Sequence, residues 1–274
     1  MKVKVAGKLN LDLYVTGMRG GLHTLDSVMC SVSVYDKVSV KKSRRTAVYE
    51  NGVLMDESAP AYRAIRAFES SYGPVSVTVR IKKGIPFSSG MGGSSADSAA
   101  VLFCLGALYH RVVDPYLALK AGSDTPFMLY GGFLRVEGVG EQLTALPYKR
   151  LKVLLVKHGS SLSAKDVYAR FDEANKSPSK RVCAYTTDDF DAYLAGASND
   201  LYPCVAHLDN VQSVMSALLA TNPVKAQMTG SGPAVFAVYE TDEELKRAYK
   251  KVKQLGFECI KILKTKRMGI LFTI

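Results

Sequence analysis

The run Ile85-Pro86-Phe87-Ser88-Ser89-Gly90-Met91-Gly92-Gly93-Ser94-Ser95-Ala96 is rich in Gly and Ser and led by a proline. It passes directly into the Ala-rich stretch Asp97-Ser98-Ala99-Ala100. Glycines let backbone N–H groups approach an anion with no Cβ in the way. A helix starting there adds unsatisfied N–H donors and the positive end of its dipole. A polyphosphate suits that arrangement; the competing use is a flexible turn before a structural helix. A branched side chain at Gly92 is expected to block the approach and raise the KM for a nucleotide without unfolding the protein. The run contains neither G-x-x-x-x-G-K-[ST] nor a G-x-G-x-x-G followed by an acidic residue about 20 positions on.

The elements around the loop can be read from periodicity. Val75-Ser76-Val77-Thr78-Val79-Arg80-Ile81 alternates apolar and polar as a half-buried strand does. The helix after the loop is expected to run to about Tyr109. Strands fill the chain up to about Val40, and a helix spans about Pro60 to Tyr72. A polar break at Leu146–Arg150 precedes the strand Leu151–Val156 and marks the expected domain change. Beyond it, residues 209–221 carry apolar side chains at helical spacing, and Ala234–Tyr239 reads as a strand. Thr241-Asp242-Glu243-Glu244 has the capping-box pattern and opens a helix with the apolar stripe Leu245, Ala248, Tyr249, Val252 and Leu255. Gly256 closes that helix and Phe257–Leu263 returns as a strand. This ending predicts a split βαβ, ferredoxin-like layer.

A length of 274 residues suits one large or two modest domains with a substantial core. No stretch approaches the roughly 18 apolar residues of a membrane span, and the first residues lack an apolar signal-peptide core. The five cysteines, Cys30, Cys104, Cys183, Cys204 and Cys259, are scattered and form no C-x-x-C pair. That argues against a zinc site or a disulfide framework and for buried thiols in a reducing cytoplasm. The net charge of +11 admits nucleic acid or anionic substrates as partners. No stripe interleaves basic and aromatic residues, which argues against an RNA reader. The lysines from 246 to 253 read as a solvated helix face.

The order Pro86, Gly90, Met91, Gly92, Gly93, Ser94, Ser95, Ala96 resembles the P-x-x-x-G-L-G-S-S-A-A loop that binds ATP in the GHMP kinase superfamily. Four further segments narrow the resemblance. They are Gly7-Lys8-Leu9-Asn10-Leu11 with Gly21-Leu22-His23; Gly122-Ser123-Asp124-Thr125-Pro126-Phe127; Ser163–Tyr168 with Asn199-Asp200-Leu201; and Met228–Phe236 around Gly230-Ser231-Gly232. Together they resemble the 4-diphosphocytidyl-2-C-methyl-D-erythritol kinase family of the non-mevalonate isoprenoid pathway. The resemblance implies an α+β GHMP kinase fold: a ribosomal protein S5 domain 2-like domain over 1–148, then a ferredoxin-like domain over 149–274. It implies ATP and Mg2+ as cofactors and a small-molecule cytidine diphosphate as the substrate, phosphorylated on a hydroxyl. Oligomeric state, monomer or homodimer, is left open.

The resemblance also implies roles for residues. Asp124 is the catalytic aspartate, accepting the hydroxyl proton, and Lys8 is the lysine that orients it. Asn10, Leu22, His23 and Tyr168 hold the substrate, and Ser94 and Ser95 hold magnesium. Read alone, Asp124 could cap a helix, Lys8 could be an exposed edge charge, and the serines could cap the helix after the loop. Gly230-Ser231-Gly232 either closes over the phosphates or makes a tight strand entry. The family carries an aromatic residue where this chain has Leu22, so the base is expected between an aliphatic wall at 22 and Tyr168. The remaining alternatives are another GHMP small-molecule kinase, of the mevalonate, phosphomevalonate or homoserine type, and an inactive RNA-binding relative.

Overall fold

The computed structural model describes residues 1–174, 177–179, 185 and 189–273. In chain order the first elements are β1 (Lys2–Asn10), β2 (Tyr14–Arg19), β3 (Leu22–Lys42), β4 (Ala47–Glu50), β5 (Val53–Leu54), α1 (Pro60–Tyr72) and β6 (Val77–Lys82). There follow α2 (Gly93–Tyr109), α3 (Pro115–Leu119), α4 (Thr125–Tyr130), β7 (Phe133–Gly138) and β8 (Gln142–Ala145). The remainder comprises β9 (Lys152–Lys157), α5 (Ala164–Glu173), α6 (Phe190–Gly196), α7 (Asp209–Leu219), β10 (Lys225–Met228), β11 (Val235–Tyr239), α8 (Asp242–Lys253), β12 (Cys259–Lys266) and β13 (Ile270–Phe272). The layers are mixed α+β.

The organising element is β3, which is 21 residues long and pairs with β1, β2, β6, β7 and β12. From Asp26 to Val32 it is buried on both faces, and from Ser33 onward only alternate residues are buried. Its two halves therefore sit in different environments: the first is covered on both sides, the second shows one face to solvent. Helices α1 and α2 pack through Ala64, Ile65, Phe68, Ala99, Ala100 and Leu102 onto the apolar face of the sheet. Small alanines on α2 let helix and sheet approach closely.

The C-terminal layer has the order β10-β11-β9-β12, all antiparallel. With α7 and α8 this is the expected split βαβ arrangement. Leu154, Val156, Val235, Ala237, Val214, Leu218, Leu245 and Val252 form its core. The capping box at Thr241 and Glu244 is present. Leu255 lies beyond the helix and is exposed, because the helix stops at Lys253 before the stripe can extend to it. Likewise α7 ends at Leu219 and β6 begins at Val77, each a residue or two inside the expected span. The polar segment around Pro147–Arg150 is pinned to β12: Tyr148 donates to the Thr265 carbonyl at 2.9 Å and the Leu151 N–H donates to Thr265 Oγ1 at 3.0 Å. The last strand, β13, returns to pair with β1. Cys30 and Cys104 are buried, Cys204 and Cys259 are partly so, and the thiols of Cys30, Cys104 and Cys259 are free. Cys183 lies outside the described residues. Among the described residues no helix is long and apolar enough to cross a membrane.

Candidate active site

A cavity of about 960 Å3 is lined by the end of β1, the β2–β3 hairpin, the 85–95 loop, Asp124, α5 and the turn at Gly230–Ser231. Its volume lies in the range that takes a small-molecule ligand. Lys8 and Asn10 project from the end of β1 beside each other. Lys8 Nζ donates to Asn10 Oδ1, and Asn10 Nδ2 donates to Ser27 Oγ at 2.9 Å. Lys8 is 3 % exposed and its ammonium lies 3.5 Å from Asp124 Oδ2. It is a buried cation with a carboxylate partner, not an edge charge. Asp124 occupies the N-cap position of α4, yet its side chain makes no capping bond. The carboxylate is turned toward Lys8 and the cavity instead.

The Gly/Ser loop enters α2 with Gly92 at the N-cap, in the left-handed region at φ 71°. No side chain caps this helix, so neither Ser94 nor Ser95 is spent on capping. Pro86, Gly90, Gly92, Gly93, Ser94 and Ser95 line the cavity. Two expected contacts are corrected. Met91 and Ala96 are fully buried in the hydrophobic core and do not line it. The Ala96 N–H is also engaged with the Gly92 carbonyl at 2.8 Å, as helix geometry requires. The expectation for Gly92 is corrected as well. A Cβ there would sit inside contact distance of Met128 Cε, in a left-handed backbone, so a branched residue acts on folding before it acts on a ligand.

The second glycine turn is built against the first. A Cβ on Gly90 would run into the Thr229 carbonyl and crowd the Gly232 N, so glycine at 90 serves the packing of the two loops. Asn199 holds the second turn, donating from Nδ2 to the carbonyls of Met228 at 3.0 Å and Gly230 at 2.9 Å. Thr229 Oγ1 accepts the Asn10 N–H at 3.1 Å and ties that turn to β1.

At the far end of the cavity Leu22 is 52 % exposed on the hairpin tip. His23, next to it, stacks on Tyr168 of α5 with ring centroids 4.6 Å apart, and its Nε2 pairs with Asp172 at 2.8 Å. The expected gap between position 22 and Tyr168 is therefore filled. The hairpin turns His23, not Leu22, onto the ring, because alternate residues of a strand point opposite ways. Burial raises the Tyr168 hydroxyl to well above its ordinary range.

Lys83, Asp36 and Asp97 escaped the sequence reading. Lys83 Nζ pairs with Asp36 and, at 2.6 Å, with Asp97 Oδ2, and both Lys83 and Asp97 line the cavity. Asp97 Oδ1 is buried without a partner among the described residues, and burial pushes this carboxyl up to about 8. The signals were available. Asp97 is a lone acid among buried alanines, and Asp36 breaks the inward run Val34, Val38, Val40. Among the described residues, no group of three or more His, Cys, Asp or Glu is placed to hold a metal. The oxygens near the loop include the hydroxyls of Ser94 and Ser95 and the carboxylates of Asp97 and Asp124. Mg2+ needs only one or two protein oxygens beside phosphates and water, and that set is sufficient.

Comparison with known proteins adds to this geometry. Residues 59–132 match the model for the GHMP kinases N terminal domain and residues 193–257 that for the GHMP kinases C terminal. The 4-diphosphocytidyl-2-C-methyl-D-erythritol kinase of Moorella thermoacetica is 33% identical over 271 residues, covering 93% of this chain and 95% of that protein. The kinase of the same name from Clostridium tetani is 29% identical, covering 92% and 96%. A crystal structure of 4-(cytidine 5'-diphospho)-2C-methyl-D-erythritol kinase superposes with a TM-score of 0.77 at 26% identity, covering 97% and 99%. Mevalonate kinase of Methanococcus jannaschii shares the fold, with a TM-score of 0.70 at 14% identity and 97% and 98% covered. The Lys8–Asp124 pair thus sits beside a glycine loop in a chain aligned over 93% of its length with a small-molecule kinase, and the chain belongs to the 4-diphosphocytidyl-2-C-methyl-D-erythritol kinase family of the GHMP kinases.

Proposed function

We propose that the chain transfers the γ-phosphoryl group of ATP to a hydroxyl of 4-diphosphocytidyl-2-C-methyl-D-erythritol, a step of non-mevalonate isoprenoid biosynthesis. The observation that carries the reading is the buried Lys8 ammonium 3.5 Å from Asp124 Oδ2, at the wall of a cavity the glycine loop also lines. Phosphoryl transfer is mostly positioning and charge stabilisation. The substrate hydroxyl oxygen bonds to the γ-phosphorus, the bond from phosphorus to the β–γ bridging oxygen breaks, and ADP leaves. Asp124 takes the hydroxyl proton. Lys8 keeps that carboxylate oriented and offsets charge on the transferring group. Asn10 fixes Lys8 and reaches the same wall. The N–H groups of Gly92–Ser95 and the start of α2 receive the phosphates. Mg2+ would be held by Ser94, Ser95 and a nearby carboxylate, where it neutralises phosphate charge. The cleft lies between an S5-like part, 1–148, and a ferredoxin-like part, 149–274, with the cytidine end at Leu22, His23 and Tyr168. The free thiols of Cys30, Cys104 and Cys259 suit a reducing cytoplasm.

One observation favours a second reading. His23 already covers Tyr168, so another small alcohol acted on by the same machinery is the alternative. The test is ADP release from Mg-ATP with the cytidine diphosphate substrate beside mevalonate, phosphomevalonate, homoserine and galactose. Turnover with the cytidine substrate alone is expected. Turnover with another alcohol and none with the cytidine substrate refutes the proposal.

A further inference from the structure

Away from the cleft, the solvent face of the N-terminal sheet is a cation array. The alternation that buries Val3, Val38, Val40, Val79 and Ile81 turns Lys2, Lys4, Lys37, Lys41, Arg80 and Lys82 outward. Strand register sets them abreast. Lys4 pairs with Lys37 and Lys37 with Lys82, so three lysines cross three strands in one row. The next row runs Lys2, Ser39, Arg80, Tyr49. With strands about 4.8 Å apart, the first row spans roughly 10 Å. Like charges directly opposite on a sheet are destabilising. The solvent-side positions of β1, β3 from residue 33, β4 and β6 carry no Asp or Glu. None of the six cations takes part in an ion pair among the described residues.

This face is not flat. A concavity of about 690 Å3 is lined by Lys2, Lys37, Arg80, Lys82, Tyr49 and the Asn51–Gly52 turn that ends β4. The turn is a tight one, with φ of 49° at Asn51 and 90° at Gly52, and forms one wall. We propose that this concavity is a second anion site, distinct from the cleft, that binds a compact small molecule carrying a polyphosphate group. Size and charge select that class. The volume is that of a small-molecule pocket, and the row of cations is too short to track a polymer. Single-stranded nucleic acid would need an open aromatic platform. Tyr49 offers none, because the Arg80 guanidinium lies 4.5 Å from its ring centroid.

The test is calorimetric titration of inorganic tripolyphosphate into the whole chain, metal-free, with the cleft saturated by ADP. Wild type is expected to take up one further equivalent. The double variant K37Q/R80Q should bind it at least ~10-fold more weakly, since two charge-assisted contacts are gone. Its ADP affinity should not change, and its melting temperature should hold or rise, since opposed like charges are removed. Lys82 is spared because its neighbour Lys83 lines the cleft. No further equivalent in wild type, or equal affinity in the double variant, overturns the site. Tighter binding of a 12-nucleotide single-stranded RNA, lost in the same variant, also overturns it in favour of an extended polyanion.

Discussion

Replacing Gly92 by Ala separates what this glycine does for the fold from what it does for a nucleotide. Its φ of 71° lies in the left-handed region, where an alanine costs about 1–2 kcal/mol. The added Cβ would press on Met128 Cε and sit 3.4 Å from Asp124 Oδ2 and from Lys8 Cγ. Met128 is 1 % exposed, so its flexible end has little room to move, and overpacking adds about 1–3 kcal/mol. The sum is about 2–5 kcal/mol. For a chain of this size that is a fall in Tm of roughly 5–15 °C. Gly93→Ala is the control. Its Cβ would meet Ile85 Cγ2 and Lys83 Nζ at 3.5 Å, ordinary contacts, and it starts a helix, so stability should hold or rise by up to about 1 kcal/mol. Thermal melts of both variants, followed by ATP kinetics well below each Tm, make the comparison. A Gly92→Ala protein that melts with wild type, or a Gly93→Ala protein that melts lower than Gly92→Ala, would refute the conformational argument.

Three further outcomes are expected. Asp124→Asn and Lys8→Ala should each lower kcat at least ~10²-fold with ATP affinity little changed, and the double variant should be little worse, because the two act as a unit; multiplicative losses in the kinetics would show independent action. Asp172→Ala removes a half-exposed partner that holds His23 on Tyr168, a pair worth about 0.5–1 kcal/mol, so a base needing that ring face should bind about 2–5-fold better. A raised KM for the cytidine substrate would mean the His23 position assists binding. Asp12 is buried among Val28 and Tyr193 and its carboxyl is pushed up from 3.8 to about 6. Between those values the folded chain holds a proton that the unfolded chain has lost. The stabilisation is present below about pH 4 and disappears as pH rises through 6, by about 3 kcal/mol. Asp12→Asn should flatten that part of the curve in urea melts at pH 4, 5, 6 and 7, and parallel curves for the two proteins would exclude Asp12 as the source.

Local chemistry alone determined a large share of this protein. The 3.6-residue and two-residue periods located α7, α8 and β6 within a residue or two, because burying one face imposes the pattern on the chain. The glycine loop was legible for the same reason: left-handed backbone and open N–H groups leave few residues to choose from. What tertiary structure decided is which partner each side chain meets. Asp124 at an N-cap position looks like a cap until Lys8, 116 positions earlier, is seen beside it. Gly90 lines the cavity, but the packing demand on it is visible only once the Thr229 carbonyl is seen against it. Leu22 and His23 are adjacent in sequence, and only the pairing of β2 with β3 settles which of them faces Tyr168. The basic residues of the sheet face lie far apart in the chain. Register alone set Lys4, Lys37 and Lys82 side by side, because hydrogen bonding between strands aligns residues that no sequence window holds together.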